Sequence, residues 1–196
     1  LIARTQPQAD GADGRGVSVE GGAALTLSRS TVVENHAGGL LVSDDGTIAE
    51  VQEVLIARTQ PRADGRRGRG VNVQYGAALT LIHSALVDNH EAGLFSIQAI
   101  VFVSDTLITS TRLEPAERYG DGVIAFDAVL DLSGVLSRDN ARAGILCQDS
   151  GGSVTGSMAS GNAIGLVTQG LIPADLVAAD NLFEGNTQDL MTDGDL

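Results

Sequence analysis

Apolar and polar residues alternate along this chain in short runs. Val17-Ser18-Val19, Leu25-Thr26-Leu27, Val71-Asn72-Val73 and Leu130-Asp131-Leu132 each put apolar side chains on every second position. A period of two over so few residues predicts short strands with one buried face. A glycine introduces many of these runs: Gly16-Val17, Gly39-Leu40, Gly70-Val71, Gly93-Leu94, Gly122-Val123, Gly144-Ile145 and Gly165-Leu166. The steps between these glycines are 23, 31, 23, 29, 22 and 21 residues. The base unit is therefore about 22 residues, and some units carry an insertion. Three strand-like runs fit inside a unit, as in 16–19, 24–27 and 31–33, or 122–125, 128–132 and 134–136.

A longer period overlies the short one. Residues 1–42 align with 55–96 without a gap, and 27 of the 42 pairs are identical. That is a tandem duplication, and an internal repeat outranks other signals for fold. Three short strands per unit, repeated, predict an all-β chain: a parallel β-helix, or solenoid, of about seven coils of about 22 residues, with longer turns on alternate coils. Coils stacked at the strand spacing of ~4.8 Å make a rod about 35 Å long. We read residues 1–196 as a single β-helix domain, the C-terminal part of a longer repeat protein, with 187–196 as its tail. In such a rod, equal offsets within the unit mean neighbours in space.

Asn35, Asn89 and Asn140 each stand four residues before the next glycine, and Asn162 stands three before. Asn tolerates the left-handed backbone of tight turns, and stacked Asn side chains can bond along the rod. The unit apolar-x-x-Asn-x-x-x-Gly-apolar-x-apolar resembles the parallel β-helix repeat of the pectate-lyase-like superfamily over about residues 14–190. The closing Asn181-Leu182-Phe183-Glu184-Gly185-Asn186 looks like its last rung. The resemblance implies a right-handed helix, in agreement with the hand of parallel crossovers. It implies little about activity, because the superfold carries many. The polygalacturonase branch has an Asn-Thr-Asp, an Asp pair, a Gly-His-Gly and an Arg-x-Lys; here only Asp44-Asp45 matches. The pectate lyase branch uses a Trp-containing motif, and this chain has no Trp.

Composition refines this picture. Aromatics are 3%, so the core is aliphatic, and 25 glycines argue against a helical bundle. The formal charge is −13, and all 12 basic residues are arginine. So acidic a chain repels nucleic acid and anionic membranes. No apolar run is long enough to span a membrane. The single cysteine, Cys147, cannot form an internal disulfide and falls at a core position. The chain opens at Leu1 without a Met, which we read as a fragment or a mature piece from which a signal peptide could have been lost, and an extracellular or cell-surface location is expected.

Alternation sorts the Gly-led strands into inward residues, such as Val17, Leu40, Val71, Leu94, Val123 and Ile145, and outward ones. Outward Phe95, Ile97, Ile124 and Phe126 gather on neighbouring coils, and predict either an interface, for example that of a homodimer, or a surface covered by an inserted loop or tail. The long turns, Thr5–Arg15, Thr59–Arg69 and Thr111–Asp121, project from one edge. The second is basic: Arg58, Arg62, Arg66, Arg67 and Arg69 are candidates to grip a carboxylate or sulfate polysaccharide, or else form a solvated loop whose arginines pair with acidic neighbours. The third carries Glu114, Glu117, Arg118 and Asp121. Asp10 and Asp13 sit in a Gly-rich run that lacks calcium-loop spacing. His36 and His90 lie two coils apart, about 9.6 Å, too far to share a metal. Asp127 and Asp149 share an offset on adjacent coils and are the candidate catalytic pair if the chain is an enzyme. No metal or cofactor is expected. The function expected is a non-catalytic structural or binding module, with a protein or polysaccharide partner. The alternative is a lyase or hydrolase of acidic polysaccharide.

Overall fold

The computed structural model describes residues 1–7, 14–113 and 119–193. Asp10 and Asp13, and Glu114, Glu117 and Arg118 of the third long turn, lie outside them. The described residues are all-β, with 22 strands in three parallel sheets. The first sheet is Gly-led: β2 (Val17–Val19), β5 (Gly38–Ser43), β8 (Arg69–Gln74), β11 (Ala92–Ile97), β14 (Asp121–Phe126), β17 (Ala143–Gln148), β20 (Ile164–Gln169) and β22 (Gln188–Thr192). The second holds β3 (Ala24–Ser28), β6 (Ile48–Gln52), β9 (Ala78–Ile82), β12 (Ile100–Ser104), β15 (Val129–Ser133) and β18 (Gly151–Thr155). The third holds β1 (Ile2–Ala3), β4 (Thr31–Val33), β7 (Leu55–Ala57), β10 (Ala85–Val87), β13 (Leu107–Thr109), β16 (Leu136–Arg138), β19 (Met158–Ser160) and β21 (Leu182–Glu184). The chain visits the sheets in rotation, the stacking of a parallel β-helix. The stretch expected as a tail contains β22, which pairs with β20. No helix of the described residues is long and apolar enough to cross a membrane.

The core lies between the sheets. Val19, Leu40, Val71, Leu94, Val123, Ile145 and Leu166 point inward from the first sheet, as alternation predicts. Leu79, Leu81, Leu130 and Leu132 meet them from the second sheet, and Ile56, Leu86 and Ile108 from the third. Each large side chain buried in this way stabilises the fold by about 1.5–3 kcal/mol.

Three corners turn the chain, each with a column of left-handed residues. Asp44, Tyr75, Gln98, Asp127 and Asp149 follow the first sheet, with φ of 46–80°. Arg29, Glu53, His83 and Asp105 follow the second, and Arg4, Glu34, Arg58, Asp88 and Asp139 the third. One left-handed residue redirects a strand without a loop, which keeps the unit short. The third corner continues into a column, buried from Asn35 to Asn162, that alternates at first: Thr5, Asn35, Thr59, Asn89, Thr111, then Asn140, Asn162 and Asn186. Each Asn Oδ1 accepts a backbone N–H from the preceding rung: Thr59 to Asn89 at 3.1 Å, Thr111 to Asn140 at 3.1 Å, Asn140 to Asn162 at 2.9 Å. The three Thr rungs are those that carry the long turns.

Facing this column stands a column of glycines with negative φ, whose reason is close approach. A Cβ on Gly93 would stand 2.5 Å from Ile108 Cγ2 and 2.8 Å from the Gly122 carbonyl oxygen. On Gly144 it would stand 2.7 Å from Ala159 Cβ and 2.8 Å from Asn162 Nδ2.

Gly93→Ala is expected to lower the free energy of urea unfolding by about 1–3 kcal/mol through overpacking. Gly21, with φ 69° and nothing within 4 Å of its added Cβ, is expected to accept Asn within about 0.5 kcal/mol. Equal losses at the two positions would refute the close-approach account.

Candidate functional site

Among the described residues the buried carboxylates, Glu91 and Asp121, stand at the outer face of the first sheet and the turns that lead into it. Arg69 opens β8, and its guanidinium lies over the Phe95 ring with Cζ 3.4 Å from the centroid. Its Nε donates to Glu91 Oε1 at 2.9 Å, its Nη2 also pairs with Glu91, and its Nη1 donates to Asn72 Oδ1 at 3.2 Å. Glu91 is buried. Arg142 grips Asp121 at the head of β14, donating from Nε at 2.8 Å and from Nη2 at 2.5 Å. The Ala143 N–H adds a bond to Asp121 at 2.8 Å, and Arg142 stacks 5.1 Å from the Tyr119 ring centroid. These pairs pin the ends of the second and third long turns onto the sheet.

The outer apolar residues lie under those pins. Phe95 and Ile124 are buried, and Ile97 and Phe126 are half-buried. Phe126 meets Phe95 edge-on at 5.7 Å and Tyr119 at 6.5 Å. Leu146 and Val167 extend the same cluster. The patch expected at a partner interface is thus covered, in large part, within the single chain.

The five arginines expected to act together separate. Arg58 sits in the left-handed column of the third corner and bonds Glu34 at 3.1 Å, and Arg4 bonds the same carboxylate at 2.7 Å. These two arginines hold the Glu34 carboxyl below its usual range. Arg66 is exposed, and its backbone N–H bonds Asp64 at 2.9 Å. Arg62, Arg67 and Arg69 stay close to one another, joined by Arg15 from an earlier rung. Arg15 is the repeat equivalent of Arg69, so the 54-residue offset could have found it; its Nη1 pairs with Glu20 at 3.1 Å. The Arg67 guanidinium makes no hydrogen bond or ion pair among the described residues. Burial, then the charges of Arg62, Arg69 and Arg15, push its pKa below the usual arginine value, against the opposing pull of Glu91. A half-buried cation among cations is stabilised by an incoming anion.

Asp127 and Asp149 are exposed, in adjacent places of the first corner's column, with φ of 46° and 48°. Asp149 Oδ1 accepts the Leu171 N–H at 2.8 Å. That geometry gives them turn-shaping work. His36 and His90 each place Nδ1 at the carbonyl of the preceding Thr rung, Thr5 and Thr59, at 3.2 and 2.9 Å. Among the described residues no three His, Cys, Asp or Glu side chains gather as metal ligands. Cys147 is buried in the core, and burial pushes its thiol up to about 12. It is expected to resist a thiol-specific disulfide reagent at neutral pH until urea unfolds the chain; fast labelling of native protein would contradict its placement.

Burial raises the Asp121 carboxyl above its usual range, while the Arg142 bonds and charge pull it down. The folded chain therefore holds this proton more tightly than the unfolded one. The stability it contributes is full below the ordinary aspartate range near ~3.9 and is lost as pH rises through the folded value. Asp121→Asn is expected to remove that loss, so the gap in unfolding free energy between native and variant chains should change as pH rises above ~4. A gap constant with pH would show that Asp121 does not titrate abnormally.

No protein-family model matches this chain, and no curated protein or solved structure matches it.

Proposed function

We propose that the chain is a non-catalytic, rigid binding module of a secreted or cell-surface protein. In this reading it is a right-handed β-helix of about seven coils, related to the pectate-lyase-like superfamily. The ligand is an anionic polysaccharide, gripped at the rim of the first sheet through Arg67. The observation that carries this reading is the state of Arg67: half-buried, without a hydrogen-bond or ion-pair partner among the described residues, and crowded by Arg15, Arg62 and Arg69. A carboxylate or sulfate entering there meets the Arg67 guanidinium in the turn that leads into β8, where an anion offsets the charge of the neighbouring arginines. The turn positions of Asp127 and Asp149 favour binding over chemistry, because each has a backbone task already.

The test is titration of the chain with polygalacturonate and dextran sulfate at low and high salt. Salt-sensitive binding is expected, and Arg67→Ala should weaken it about tenfold or more, the worth of a charge-assisted bond. Binding that Arg67→Ala leaves unchanged would overturn the assignment. Turnover of either polymer, lost on alanine substitution of both Asp127 and Asp149, would establish the enzymatic alternative instead.

A further inference from the structure

On the first sheet the chain shows how it holds a guanidinium: Arg69 lies on the Phe95 ring and bonds Glu91 from a neighbouring rung. The outer face of the second sheet offers the same chemistry without the arginine. Phe102 projects from β12 and is 45% exposed. Its partners in register are Thr80 on one side and Asp131 on the other. Asp131 is oriented by the Ser153 hydroxyl, which donates to it at 2.7 Å, and it has no ion-pair partner among the described residues. Glu50 stands in the same column beyond Thr80, exposed and likewise without an ion pair among the described residues.

The surroundings fit an extended segment. A hollow of about 240 Å³ lies against Phe102, Ile82 and Asp131. A second, of about 270 Å³, shares Thr80 and Ile82 with it and continues over Glu50. No basic side chain lines either hollow. Beside this polar column runs a stripe of Ile48, Ile100 and Val129, exposed by 51, 42 and 44%. An aromatic face and a carboxylate one strand apart attract a planar cation, and the stripe takes aliphatic stems. The net charge of −13 steers a basic partner toward the chain.

We infer that the outer face of the second sheet docks an extended, arginine-bearing segment of a partner protein, with a guanidinium on Phe102 and paired to Asp131. This site is separate from the arginine cluster on the first sheet and does not depend on it.

The probe is a capped, fluorescent peptide of alternating Arg and Val, measured by anisotropy against the full chain. Saturable, salt-sensitive binding is expected, and a peptide with Glu in place of Arg should not bind. Phe102→Leu keeps the bulk without the ring, and Asp131→Asn keeps the shape without the charge; each is expected to weaken binding about tenfold. Glu184→Gln removes an equal charge from the distant third sheet and should change affinity less than about twofold. Arg67→Ala should leave peptide binding intact, so failure here is distinguishable from failure of the polysaccharide reading. Circular dichroism checks that each variant is folded. The inference is overturned if the Arg peptide does not saturate. It is overturned equally if Glu184→Gln weakens binding as much as Asp131→Asn, or if a neutral glucose oligosaccharide binds this face and the Arg peptide does not.

Discussion

Backbone stacked directly on backbone is the constraint from which the rest of this molecule follows. At the start of each Gly-led strand one rung comes so near the next that no side chain fits between them: a Cβ on Gly39 would lie 2.6 Å from the Gly70 carbonyl oxygen, and one on Gly70 would lie 2.6 Å from that of Gly93. Glycine is required there by space, since these residues do not have positive φ. The spacing of the ladder sets the pitch, and the pitch brings every side chain over its repeat equivalent.

Once rungs are in register, columns of like residues have like fates. Inward columns become a continuous aliphatic core, closed by Leu and Val without Trp. Polar columns become ladders. Buried Asn side chains satisfy backbone donors at the third corner, Ser84 and Ser157 accept N–H groups from the rung before at the second, and Ser150 does so at the first. Buried polar groups without such partners are costly, and the few that remain mark irregular places. Asn35 Nδ2, Thr59 Oγ1 and Thr111 Oγ1 lack a partner where Thr and Asn alternate in the column. Charge follows the same logic. Glu34 lies between Arg4 and Arg58 of adjacent rungs, and Glu91 and Asp121 each take an arginine across the outer face of the first sheet.

Much of this was readable from residue order. Alternation after each glycine marked Val19, Leu40, Val71 and Ile145 as inward, and they are. The shared offset of Asn35, Asn89 and Asn140 placed them in one column. What could not be read was which long side chains fold back. Five arginines close in sequence suggested one patch, but a left-handed residue at Arg58 turns it toward Glu34, while Arg69, one residue before the glycine, is turned onto Phe95. The cover over Phe95 and Ile124 depends on Arg69 and Tyr119, whose positions are set by pairing across rungs. Periodicity reports the facing of strand residues, and says nothing of side chains that reach across the sheet from a turn. For the same reason the open face at Phe102 is not legible in the residue order: an outward residue can be covered, as Phe95 is, or left 45% exposed, as Phe102 is, and the difference lies in what reaches over it from other rungs.

The duplication that relates residues 1–42 to 55–96 has a consequence for how such a chain changes over generations. A recombination that joins a point in one copy to the matching point in the other removes a whole 54-residue block, and its reciprocal adds one. Either product brings together rungs whose contacts already exist in the parent, so each new junction is packed before selection acts on it. Length is therefore a trait that this architecture can vary in single genetic events, without passing through a misfit core.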